Sequence, residues 1–137
     1  MKPIKTQEAV QKVKSLKLPP IICDILLEKT NDPVDIYFTC PNTYLLSDEE
    51  QLAYELGEVI PLFSTCGGGV VAAYSVKNKS YLTFYLDGGV AKSNMTWNDM
   101  LVDWFEIIIE DYWETEPDFV RELAIKFRFE NLNQLIE

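Results

Sequence analysis

The segment VVAAYSVKNKSYLTFYL, Val70 to Leu86, decides the fold. Two runs rich in β-branched and aromatic residues flank the polar turn KNKS, Lys77 to Ser80, and Asp87-Gly88-Gly89 follows, so the segment predicts a β-hairpin. Just upstream, VIPLF (Val59 to Phe63) is expected to be extended, because Pro61 biases Ile60 away from the helical region. Further back, VDIYFTC (Val34 to Cys40) alternates Ile36, Phe38 and Cys40 with Asp35, Tyr37 and Thr39, which predicts a half-buried strand turned by Pro41-Asn42. TYLL, residues 43–46, reads as another short strand.

Helical patterns surround this block. TQEAVQKVKSLKL carries Ala9, Val10, Val13 and Leu16 at helical spacing behind a cap at Thr6. PPIICDILLEKTNDP opens on two prolines, presents Ile21, Ile22, Ile25 and Leu26 on one face, and is expected to stop at Asn31-Asp32-Pro33. SDEEQLAYELG places Ser47 and Glu50 at capping-box spacing and ends on Gly57. In TWNDMLVDWFEIIIEDYWE, Trp97, Met100, Leu101, Trp104, Phe105, Ile108, Ile109, Tyr112 and Trp113 recur at i, i+3, i+4 for more than four turns behind Thr96 as cap. PDFVRELAIKFRF, with Thr115 as its cap, and ENLNQLIE complete the chain. Helices at both ends with strands between them imply an α+β fold: a central antiparallel or mixed sheet flanked by N-terminal and C-terminal helices, in one domain spanning residues 1–137.

Composition narrows the chemistry. There is no histidine, which removes Ser-His and Cys-His nucleophilic pairs and the commonest metal ligand. Cys23, Cys40 and Cys66 form no CxxC and are expected to be buried thiols outside any disulfide framework. Gly67-Gly68-Gly69 opens a strand, with no lysine before Lys77, whereas a phosphate-binding loop must lead into a helix whose N-terminus supplies the donors. Together with Gly88 and Gly89, these glycines are read as structural turn positions. Asp48-Glu49-Glu50 sits where a helix dipole alone explains acids, and Asp99 with Asp103 carries no further metal-ligand motif. No metal, cofactor or catalytic residue is therefore expected. No apolar run approaches the roughly 20 residues of a membrane helix, and Met1 to Lys17 has no signal-peptide core, so a soluble cytosolic protein is expected.

The net charge is −10, unevenly placed. Met1 to Lys17 holds five lysines and one acid, while Trp97 to Glu122 holds nine acids against Arg121 alone. Like charges one turn apart oppose each other by about a few tenths of a kcal/mol per pair, so a stripe of one sign is slightly unfavourable for the helix that carries it. A surface of this sign repels nucleic acid and attracts basic partners.

The order GEVIPLF, a glycine turn, VVAAYSVKNKSYLTFYLDGG and VAKSNMTWNDMLVDWF resembles the Smi1/Knr4 (SUKH) superfamily. Ala91, Ser93, Trp97, Asp99, Met100 and Leu101 are similar to its A-x-S-F-x-E-F-L segment, and LPPIICDILLEKTND is similar to its first helix. The resemblance covers Leu18 to Ile109; Asn31-Asp32-Pro33 stands where the family usually has Asn-Gly-Gly. It implies an α+β fold without shared catalytic residues. It also implies either an immunity protein that binds and neutralises a polymorphic bacterial toxin, or a regulatory scaffold of the fungal kind. For an immunity protein facing a basic nuclease toxin, Asp99, Asp103, Glu106 and Glu110 are the expected contact residues. A small carboxylate-dependent hydrolase is the third reading.

Overall fold

The computed structural model describes residues 6–41, 59–65, 69–85 and 89–136, and residues 6–9 by backbone alone. The expected strand at 43–46, the expected helix at 47–57, Cys66, Gly67, Gly68 and Gly88 lie outside the described residues. Helices α1 (Thr6–Ser15), α2 (Pro20–Leu26) and α3 (Val34–Tyr37) precede strands β1 (Val59–Ser64), β2 (Val70–Ser75), β3 (Ser80–Tyr85) and β4 (Val90–Met95). Helices α4 (Trp97–Tyr112), α5 (Pro117–Lys126) and α6 (Leu132–Ile136) follow. The strands form an antiparallel sheet in the order β1-β2-β3-β4, so the α+β class and the central sheet flanked by helices are as the sequence predicts.

The hairpin of Val70 to Tyr85 is the most regular part of the sheet. β2 and β3 pair without a break from Val70↔Tyr85 to Ser75↔Ser80. The loop 76–79 is fixed by the Asn78 N–H donating to Ser75 Oγ at 3.2 Å. Its neighbours are less regular. Between Pro61 and Phe63 the register of β1 slips, and Leu62 stands unpaired against β2; a bulge is a place where a residue without an N–H is tolerated. The slip also lets two successive side chains, Leu62 and Phe63, both enter the main core. Along β4 the register shifts twice against β3, and Asn94 takes a φ of +54°. Such bulges, with Lys92 exposed between them, blunt an edge strand against further pairing.

The segment Val34 to Cys40 departs from its expected strand. Val34–Tyr37 is a short helix, and extended pairing is reduced to one bridge, Thr39↔Ser64, with two backbone hydrogen bonds of 2.8 Å. Tertiary contacts override the local alternation. Phe38 is fully buried against Phe127 (ring centroids 4.1 Å) and Phe63 (5.1 Å), and Trp104 Nε1–H donates to the Tyr37 carbonyl at 3.0 Å. Ile36, an inward position of the expected strand, is exposed.

The helix ends also differ in detail. α2 stops at Leu26, well before Asn31, in a Schellman turn: Glu28 N–H bonds Ile25 O, Lys29 N–H bonds Asp24 O, and Glu28 takes a φ of +56°. α5 ends the same way, with Arg128 at φ +53° and Phe129 N–H on Ala124 O. Thr115 does not cap α5; Glu116 occupies that position without a side-chain bond, and Thr115 N–H is still bonded to Tyr112 O in the exit from α4.

The main core lies between one face of the sheet and the helices. Phe38, Phe63, Phe105 and Phe127 are fully excluded from solvent there, each burial contributing about 1.5–3 kcal/mol. Trp97 closes it from the start of α4, its Nε1–H donating to Phe127 O at 2.7 Å. Val59, Val71, Ala73, Leu82 and Phe84 form a smaller buried cluster on the opposite face.

Candidate functional site

Helix α4 carries the acids singled out from sequence, and its first turn decides which of them face outward. Thr96 Oγ1 accepts from Asp99 N–H at 3.1 Å, while Thr96 N–H donates to Asp99 Oδ2 at 3.4 Å. This reciprocal capping box satisfies backbone donors that a helix start otherwise leaves open. Asp99, expected as a contact residue, is thus a cap. One turn on, Asp103 receives Lys92 Nζ on both carboxylate oxygens, at 3.0 and 2.9 Å. That hydrogen bond, then the Asp103 charge, raises the lysine pKa, with Glu106 and Tyr85 adding to the effect. An exposed pair of this kind contributes well under about 1 kcal/mol, but it cancels one negative charge on the face.

The other aspartates of this region are also engaged. Asp111 accepts the Tyr37 hydroxyl proton. The Tyr37 pKa is pushed well above the usual range, first by burial and then by the bond to Asp111. Asp118 lies 3.6 Å from Arg121, and the Arg121 guanidinium sits 4.7 Å above the Trp113 ring.

The glutamates behave differently. Glu106, Glu110, Glu114, Glu116 and Glu122 are all exposed, and their carboxylates have no hydrogen-bond or ion-pair partner among the described residues. Between Trp97 and Glu122, therefore, three of the four aspartates are engaged by hydrogen bonds within the fold, Asp118 stands 96% exposed with only its 3.6 Å contact to Arg121, and all five glutamates remain outward. Short Asp side chains reach nearby backbone and neighbouring elements; the longer Glu side chains reach past them into solvent. Glu106, Glu110 and Glu114 recur every fourth residue along one line of the helix and its exit. Ile107, half-exposed at 48%, sits beside this line.

Two of the four residues expected to make contacts, Glu106 and Glu110, thus stand on the open surface, and two, Asp99 and Asp103, are held by the fold. The expected contact residues did not include Glu114 or Ile107, which stand on and beside this line; Glu116 and Glu122 are exposed on α5 and its start. The T-x-x-D spacing of Thr96 and Asp99 is a legible capping signal; no local pattern joins Lys92 to Asp103.

The glycines carry no site in the described residues. Gly69 lacks a positive φ, and an added Cβ would meet only Thr65 Oγ1 at 3.9 Å, an ordinary contact. The turn into β2 is held by Thr65, whose hydroxyl accepts Val70 N–H at 3.2 Å. Gly89 has a φ of +100°, which favours glycine. Cys23 and Cys40 are half-buried outside any disulfide, more open than the buried thiols expected; burial raises the Cys23 pKa. Among the described residues no group of three His, Cys, Asp or Glu is placed to hold a metal ion, and no helix is long and apolar enough to cross a membrane. No family model, no curated protein and no solved structure matches the chain.

Proposed function

We propose that this chain is a non-enzymatic binding protein of the Smi1/Knr4 kind: an immunity protein that neutralises a basic bacterial toxin domain, such as a nuclease, in the cytoplasm. The observation that carries the reading is the line Glu106, Glu110, Glu114 along the outer face of α4 and its exit. Its acids run into the C-terminal end of the helix, and the last turn holds no basic residue. A helix C-terminus prefers cations by about 0.3–1 kcal/mol each, so acids there oppose the macrodipole as well as one another. Stability alone favours lysine or arginine at these positions. A basic partner supplies the missing countercharge, and the single-sign field accelerates encounter while repelling nucleic acid.

In this reading Glu106 and Glu110 meet the partner's cations, and Asp99 and Asp103 hold the helix that presents them. Affinity capture of the partner from the native host with the tagged chain, followed by coexpression of the two, tests it: wild-type chain protects cells, and Glu106→Lys with Glu110→Lys abolishes protection while the chain still folds. Full protection by that double variant contradicts the assignment.

A further inference from the structure

A second surface lies away from the glutamate line. A groove of about 590 Å³ runs between α2, the segment 29–34 and α5. Its apolar lining comes from Pro20, Ile21, Pro33, Val34 and Phe119, and Ile125 stands on it 76% exposed, the most open of the large apolar side chains among the described residues. Volume and lining fall in the range of clefts that take a ligand or a segment of a partner.

The charges of the groove differ between its two helices. α5 and its exit contribute only cations, Lys126 and Arg128, and α2 contributes only Asp24; the connecting segment adds Lys29 and Asp32. Three of the chain's twelve basic residues therefore line one groove against two acids, Asp24 and Asp32, which leaves it slightly positive on a protein of net charge −10. Lys29 and Lys126 have no ion-pair partner among the described residues. Arg128 is placed there by a left-handed backbone that a non-glycine residue adopts at a cost, and its guanidinium is braced by donating to Lys17 O at 2.9 Å.

We infer that this groove binds an acidic peptide segment of a partner protein, its carboxylates toward Lys29, Lys126 and Arg128 and one large apolar side chain over Ile125. Asp24 on α2 and Asp32 on the connecting segment repel carboxylates, which orients the acidic side of the segment toward Lys126 and Arg128 at the end of α5. The site is separate from the glutamate face and does not depend on it.

The test uses the full chain and two fluorescent peptides that share a Leu-Phe centre, one flanked by glutamates and one by lysines. Fluorescence anisotropy is expected to give saturable, one-to-one binding of the acidic peptide and none of the basic one. Lys29→Glu with Lys126→Glu, and separately Ile125→Ser, weaken the acidic peptide by about tenfold or more. Lys77→Glu, in the β2–β3 loop, leaves it unchanged. Ile125 is so exposed that its substitution leaves the fold intact even if the charge reversal disturbs α5. No binding of the acidic peptide, equal binding of both peptides, unchanged affinity in the groove variants, or an equal loss with Lys77→Glu overturns the proposal.

Discussion

Lys92 on β4 and Asp103 on α4 are joined by two contacts of 3.0 and 2.9 Å from one ammonium to both oxygens of one carboxylate. The pair ties the edge strand to the helix and removes Asp103 from the outward charge. Lys92→Met is expected to lower stability by less than about 1 kcal/mol, and to speed association with a basic partner at low salt by returning one negative charge to the face. Denaturant titration and stopped-flow association rates measure the two effects.

The start of α4 rests on Thr96 and Asp99 acting together. Thr96→Ala is expected to cost about 1 kcal/mol. Asp99→Ala costs a similar amount, and the double variant less than the sum, because each side chain serves the same box. Partner affinity is expected to be nearly unchanged in Asp99→Asn. A loss as large as that for Glu110→Lys would return Asp99 to the contact surface.

Glu28 ends α2 at a φ of +56°, a conformation that costs an L-residue about 1–2 kcal/mol and glycine little. Part of that difference is offset by the freedom glycine gains in the unfolded chain. Glu28→Gly is expected to raise stability by roughly 0.5–1 kcal/mol, read from the denaturation midpoint at constant slope.

Asp32 carries a raised pKa, caused first by a hydrogen bond from its carboxyl to Asp35 and then by the Asp35 charge. One Asp35 oxygen, Oδ1, is buried without a partner. A folded-state pKa above the unfolded value of about 3.9 means that the contribution to stability is fully present below that pH and is lost as pH rises through the folded value. Asp32→Asn is therefore expected to melt higher than wild type at pH 7, with the gap closing toward pH 3. A gap that widens on acidification would reverse the sign and reject the account of this pair.

The parts of the fold legible in sequence are those governed by local pattern. The β2–β3 hairpin follows from its two apolar runs and polar turn, and α4 from nine apolar residues at helical spacing behind Thr96. The segment Val34 to Cys40 was not legible, because seven alternating residues satisfy a strand pattern while Phe38, Tyr37 and Thr39 answer to partners on α4, on β1 and at the end of α5. The same limit applies to the surface. Nine acids between Trp97 and Glu122 are visible in the sequence, but which of them the fold consumes depends on Lys92, Tyr37 and a capping geometry. The charge excess could be read; its division between aspartates and glutamates could not.

The role of the glutamate line is read most directly by isothermal titration of the partner captured from the native host against wild-type chain and the Glu106→Lys, Glu110→Lys variant at low salt and at about 0.5 M salt. The wild type is expected to bind tightly and one-to-one with an affinity that weakens steeply with salt, and the variant to lose about 100-fold or more with most of the salt dependence gone. Unchanged affinity and unchanged salt dependence in the variant would contradict that role.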